Sequence, residues 1–163
     1  MTVAPDGGRP TLRDVMGSWP TGVPIVAAVD EAGTPFGLTA NSFTSVSLDP
    51  PLVLVCIGHT STSHDRLVEG KHFAVNILSG DQGEAAMRFA KEPSEGRFDS
   101  VAWRPGSTGA PILDATTGWL ECALHEVLEG GDHSILVGRV LESWVGEEPA
   151  LLFHRGRLST THE

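Results

Sequence analysis

Apolar residues recur at positions 12, 15, 16 and 19, the spacing of one helical face, and predict a short helix over residues 11–19. Pro20 and Gly22 stop it. Residues 23–29 read as a strand ended by the turn Asp30-Glu31-Ala32-Gly33. Residues 36–46 mix β-formers with small polar side chains and predict a strand with an exposed functional face. Pro50 and Pro51 break the chain, and the unbroken apolar run 52–57 predicts a strand buried on both faces. The polar loop 58–63 leads into a short helix over 64–69, with Ser61, Thr62 or Ser63 as its N-cap. A strand over 73–78 precedes a helix over 81–91 with Ala85, Ala86 and Phe89 on one side. Residues 93–109 read as irregular surface chain. Two long strands, 119–128 and 134–144, flank the hairpin-like Glu129-Gly130-Gly131-Asp132-His133, and 150–153 makes a last short strand. Many strands with two or three short helices predict a mainly β fold, a β-barrel with peripheral helices.

A chain of 163 residues fits one domain and a hydrophobic core without disulfides. Residues 1–10, polar and rich in Gly and Pro, read as a flexible tail; residues 11–163 read as the domain. The formal net charge of −10 lacks the basic footprint that nucleic acid demands. No apolar run reaches the roughly 18 residues of a membrane helix, so no membrane association is expected. Residues 1–10 have no apolar core of a signal peptide. Cys56 and Cys122 stand alone in apolar stretches, and a reducing cytoplasm is the expected compartment. The seven histidines form no ligand-like cluster, so no metal site is expected.

Two segments carry candidate binding chemistry. Gly37-Leu38-Thr39-Ala40-Asn41-Ser42-Phe43-Thr44-Ser45 packs small and polar residues into a strand-like segment. Small side chains let a flat heterocycle approach the backbone, while Thr, Asn and Ser offer donors and acceptors to its polar edge; an exposed sheet face has the same composition. The loop Gly58-His59-Thr60-Ser61-Thr62-Ser63 puts hydroxyls and unpaired backbone N–H groups ahead of a helix, which suits a phosphate or simple helix capping. His133 after Gly131-Asp132 reaches a substrate or decorates a turn, and His154-Arg155-Gly156-Arg157 binds an anion or forms a charged tail. No HExxH, CxxC or GxSxG occurs.

In order along the chain, GSWPTGVPIVAA, GLTANSFTSVSLDPPLVLVCI, FAVNIL, GDHSILVGRV and LLFHRGR resemble the short-chain flavin reductases of two-component monooxygenases. The resemblance implies a split β-barrel of Greek-key, FMN-binding type, and hydride transfer from NADH or NADPH to FMN, with FAD the alternative. It implies a homodimer and a separate monooxygenase that receives the reduced flavin; a flavin-binding sensor with little turnover is the competing reading. Position by position, Gly37, Leu38, Thr39, Ala40, Asn41 and Ser42 match the segment lining the flavin ring and ribityl chain, and Cys56 and Ile57 the strand end beside it. Ser61, Thr62 and Ser63 match the phosphate loop, and Arg88 and Phe89 an arginine–aromatic pair closing the site. Relatives often carry a basic residue near position 59, and Arg88 is the expected substitute. His133 matches a histidine facing the nicotinamide, with His154, Arg155 and Gly156 near the same pocket.

Overall fold

A computed structural model describes residues 9–161. Of the expected tail, residues 1–8 lie outside the described residues; Arg9 and Pro10 are exposed and lack regular structure. The elements are α1 (Leu12–Met16), β1 (Thr21–Gly22), β2 (Pro24–Val29), β3 (Pro35–Thr39), β4 (Thr44–Leu48), β5 (Pro51–Gly58), α2 (His64–Val68), β6 (His72–Ile77), a 3-10 turn (Gly80–Gln82) running into α3 (Gly83–Lys91), β7 (Trp103–Pro105), β8 (Pro111–Leu113), β9 (Gly118–Glu129), β10 (His133–Val145), β11 (Leu151–His154) and β12 (Arg157–Thr160). A capping box starts α1: Thr11 Oγ1 accepts from the Asp14 amide, and the Asp14 carboxylate accepts from the Thr11 amide.

Seven strands form one antiparallel sheet in the order β3-β2-β6-β9-β10-β5-β4. Phe36 of the edge strand β3 and Val53, Val55 and Ile57 of β5 belong to one buried cluster with Val26, Phe73, Val75 and Leu136. Strands far apart in the sheet order share that core, so the sheet is curled into a split β-barrel. Each large side chain buried there contributes about 1.5–3 kcal/mol. A second cluster covers the outer face of β2, where Ile25 and Ala27 meet Ala86 and Phe89 of α3. The remaining strands form a three-stranded sheet, β1-β11-β12, and a two-stranded one, β7-β8.

Two local expectations are corrected. The segment 36–46 is two strands, because the chain turns at Asn41 and Ser42 and crosses from β3 at one sheet edge to β4 at the other. The run 52–57 is buried on one face only: Val53, Val55 and Ile57 enter the core, while Leu54, Cys56 and Gly58 stay half-buried on the other side. β1, β7, β8 and β12 are strands of two to four residues, too short for a period to show in the sequence.

Two side chains fix the loop and helix after β5. Arg66 of α2 pairs with Asp30 at 2.8 Å and lies 3.7 Å over the Phe36 ring, tying the helix to the β2–β3 hairpin. His64 Nε2 shares a 2.9 Å hydrogen bond with Ser134 Oγ on β10.

Glu121 of β9 is fully buried, and its carboxylate accepts from the backbone N–H and hydroxyl groups of both Ser107 and Thr108. Burial pushes its pKa up, but the hydrogen bonds from Thr108 and Ser107 outweigh this and hold it below the ordinary 4.5. A lowered carboxyl pKa gives stability that is present above the unfolded value and lost as pH falls through the folded one. Glu121→Gln therefore costs about 1.5–3 kcal/mol at pH 7, measured by urea unfolding, and less as the pH drops below the ordinary value.

Candidate functional site

A groove of about 550 Å³ runs along the outside of the barrel between Leu38 and Thr39 of β3, Gly58 at the end of β5, the loop Thr60-Ser61-Thr62 and the C-terminal end of α3. Lys91, Glu92 and Arg97 stand at the α3 side. The walls opposite α3 come from the two segments singled out in the sequence, and the register of β5 against β10 brings a third to their edge. His133 pairs with Gly58, and its Nε2 lies 3.5 Å from where a Gly58 side chain would begin. Its Nδ1 bonds Asp132 at 2.7 Å, which fixes the ring and lowers the Asp132 pKa.

The small residues of β3 serve the fold as well as the groove. A Cβ at Gly37 would sit 2.5 Å from the Val26 carbonyl oxygen, so the sheet admits only glycine there. The Thr39 hydroxyl donates to the Ala86 carbonyl at 2.7 Å and docks α3 on the strand. Ala40 is buried, and Asn41 is half-buried at the turn. The Ser42 hydroxyl donates to the Cys56 carbonyl at 2.8 Å and accepts from the Cys56 amide at 3.0 Å, clipping the crossing segment to β5.

The other expected site residues divide. Cys56 shares the Gly58 face, whereas Ile57 points into the core and is fully buried. Ser61 and Thr62 line the groove. Ser63 is fully buried and makes no side-chain cap to α2; its hydroxyl donates to the Gly37 carbonyl at 3.4 Å. Phe89 backs the groove from the second core cluster, edge-on to Phe98 at 4.9 Å. Arg88 is turned away: it lies 3.6 Å from Glu84 and 3.7 Å from Glu92, and lines a separate groove with Asp81, Ser100 and Asp114. His154, Arg155 and Gly156 form the exposed β11–β12 turn, where the Arg155 amide donates to the Gly17 carbonyl, and none of them lines the groove.

Sequence reasoning missed Arg97, which sits in the segment read as irregular surface chain. It is 7% exposed, and burial lowers its pKa against the opposing pull of Glu95 and Glu92. The signal available was an arginine next to an aromatic, Phe98, flanked closely by the acidic Glu95 and Asp99.

The groove thus offers hydroxyls, a flat strand wall and one buried cation, a donor set that suits a polar, anionic, planar ligand. It holds no nucleophile paired with a base. The Asp65–His64–Ser134 string is hydrogen-bonded, but Ser134 is 5% exposed and outside the groove. Cys122 is buried, and its pKa is pushed up to about 12, so it stays a thiol. Among the described residues no group of His, Cys, Asp and Glu is placed to hold a metal ion.

The flavin reductase like domain matches residues 16–162, and the chain belongs to that family. It is 48% identical over 129 residues to the stachydrine N-demethylase reductase subunit Stc3 of Rhizobium meliloti, a match covering 79% of this chain and 56% of the relative. The chain thus spans little more than half of that protein's length. The solved NADH:FAD oxidoreductase of Streptomyces globisporus C-1027, in complex with NAD and FAD fragments, superposes with a TM-score of 0.87 at 42% identity, covering 93% of this chain and 91% of that one. BorF, the flavin reductase component of a bacterial two-component tryptophan halogenase, gives a TM-score of 0.86 at 39% identity, covering 93% and 97%.

Gly37→Ala puts a methyl group against the backbone of β2 and should cost about 1–3 kcal/mol. A thermal melt checks this, at about 2–4 °C per kcal/mol for a domain of this size.

Proposed function

We propose that the protein is an NAD(P)H:flavin oxidoreductase that supplies reduced FMN or FAD to a separate monooxygenase. The observation that carries the reading is the groove itself. Its lining takes in the β3 wall and the hydroxyl loop, and His133 stands beside Gly58 at its edge, three of the segments on which the resemblance rests. Relatives named as NADH-dependent FAD reductase and NADH-dependent FMN reductase support it, as do those named as reductase components of monooxygenases. The sensor alternative has no support among the relatives compared.

When bound, the flavin supplies the hydride-accepting ring. The chain's task is positioning: Leu38 and Thr39 offer a flat wall, Gly58 leaves room beside it, and Ser61 and Thr62 offer hydroxyls to the phosphate end. His133, fixed by Asp132, borders the face where a nicotinamide would stack, and a hydrogen bond to its carboxamide would hold the two rings within reacting distance. The β11–β12 turn is assigned no part, because it lies apart from the groove. The reading puts the protein in the cytoplasm, where nicotinamide is at hand and where Cys56 and Cys122 stay free thiols. No helix among the described residues is long and apolar enough to cross a membrane.

A homodimer is part of the same proposal. No residue of the edge strand β4 is fully buried, and Val46 and Leu48 are 51% and 92% exposed. At the far end of β10, Leu141, Trp144 and Val145 are exposed as well, so the surface carries apolar area that a second copy would cover. Light scattering at micromolar concentration should give twice the chain mass; a monomer mass would remove this part of the reading.

The activity test is the loss of nicotinamide absorbance with and without FMN or FAD. Flavin-dependent oxidation is expected, and none with either nicotinamide would sink the reductase reading. His133→Ala should lower the rate of flavin bleaching on flavin-saturated protein by roughly 10- to 100-fold, with flavin affinity held within about threefold. An unchanged bleaching rate would take His133 out of the site.

A further inference from the structure

His59 and His64 stand on either side of residues 60–63, and Thr60, Ser61 and Thr62 between them line the groove. Both rings turn to the same atom. Ser134 Oγ on β10 lies 2.9 Å from His64 Nε2 and 3.4 Å from His59 Nε2, and the two rings meet edge to face with centroids 5.0 Å apart. The hydrogen bonds have one order. The Asp65 carboxylate, 2.7 Å from His64 Nδ1, can only accept, so Nδ1 carries the proton. In the neutral ring Nε2 is then the acceptor and takes the Ser134 O–H. That leaves the Ser134 lone pairs to accept from His59 Nε2–H. The string runs from His59 through Ser134 and His64 to Asp65, and the buried hydroxyl at its centre is satisfied as donor and as acceptor.

The loop between the two histidines has little holding of its own. α2 starts without a side-chain cap, and Ser61 Oγ accepts one bond, from the Ser63 amide at 3.3 Å. The histidines fix its two ends instead. The His59 amide donates to the Asp132 carbonyl at 3.0 Å, and both imidazoles close on Ser134. We propose that Ser134 is a positioning residue of the flavin site: its hydroxyl clamps both ends of the loop and sets that wall of the groove before a flavin arrives. The inference rests on the flavin reading above. Ser134 is 5% exposed and does not line the groove, so its influence on a flavin passes through the two histidines. A wall already ordered need not be ordered by the ligand, so the clamp acts on affinity. Ser134 directly follows His133 on β10, and successive side chains of a strand leave opposite faces. The clamp is thus separate from the edge where the nicotinamide would stack, and the hydride step does not run through it.

The test separates capture of flavin from turnover. Flavin affinity, by fluorescence titration with FMN and FAD, and the bleaching rate on flavin-saturated protein are measured for the unsubstituted protein, Ser134→Ala, Ser134→Thr, His64→Leu and the double variant Ser134→Ala/His64→Leu. Ser134→Ala should weaken both flavins by roughly 5- to 30-fold, with the bleaching rate at saturation within about threefold. Ser134→Thr keeps the hydroxyl and should restore affinity to within about threefold of the unsubstituted protein. His64→Leu removes the other half of the clamp and should repeat the Ser134→Ala loss; it decides the matter if Ser134→Ala does not fold. The double variant should bind no more weakly than the weaker single one, because a clamp opens only once. A role in stability alone would lower the melting temperature and leave the affinity of the folded protein in place. Unchanged affinity in the folded variants would therefore overturn the assignment. So would losses that add in the double variant, a threonine as damaging as alanine, or a bleaching rate that falls as far as the affinity. If the unsubstituted protein binds neither flavin, the flavin reading itself fails. If it binds them and the variants bind equally well, only the part given to Ser134 fails.

Discussion

The first and last strands of the large sheet, β3 and β4, are consecutive in the chain and joined by residues 40–43. Seven strands laid flat at about 4.8 Å spacing would hold those edges roughly 29 Å apart. The link, even fully extended, reaches about 18 Å. The sheet must therefore curl, and the two edges must face each other across a narrow gap. Most of the features around the groove are answers to that gap. Ser42 bridges it with paired hydrogen bonds to the backbone of Cys56. Arg97 covers the open Gly37 carbonyl on the β3 edge, where no further strand pairs. A barrel left open on one side needs such substitutes for strand pairing, and polar groups that serve as substitutes are already in place to meet a ligand.

Much of this was legible from residue pattern alone. The long strands β9 and β10, their tight connection and the helical side of Ala85, Ala86 and Phe89 repeat often enough for a period to declare itself. What the pattern hid were changes of direction and of face. Residues 36–46 look like one strand because β-formers flank a single turn-forming pair, Asn41-Ser42, and the clip from Ser42 to Cys56 holds the turn there. The apolar run of β5 looks doubly buried because Leu54 and Cys56 are apolar too, although their side of the strand is only half covered. Hydrophobicity reports what is tolerated away from water, not which face a neighbour will occupy.

The site was legible in its segments and less so in its side chains. The hydroxyl loop and the β3 wall do meet, since the loop that follows β5 and the end of β3 line one groove. Alternation then divides neighbours in sequence: Cys56 and Gly58 share a face, and Ile57 between them belongs to the core. The same holds on α3, where Phe89 backs the groove and Arg88, one residue earlier, faces Glu84 and another surface. A motif match carries a whole segment across, but geometry admits only every second or third side chain. Arg97 shows the converse: a residue outside every motif reaches the groove because the chain after α3 folds back over the β3 edge.

The groove draws its walls from residues 38–39, 58–62 and 89–97, with His133 beside them. These pieces differ from the β9–β10 hairpin in the cost of meeting. The hairpin closes over a three-residue connection, so its entropic cost is small and its pairing can form early. The groove is complete only after β5 has found β10 and the chain beyond α3 has returned to β3, closures over much longer loops. A molecule bound there recognises the finished barrel and little that precedes it. Its binding energy accrues to the native state after the folding barrier has been crossed, so occupancy lengthens the lifetime of the folded protein and leaves its rate of formation almost untouched.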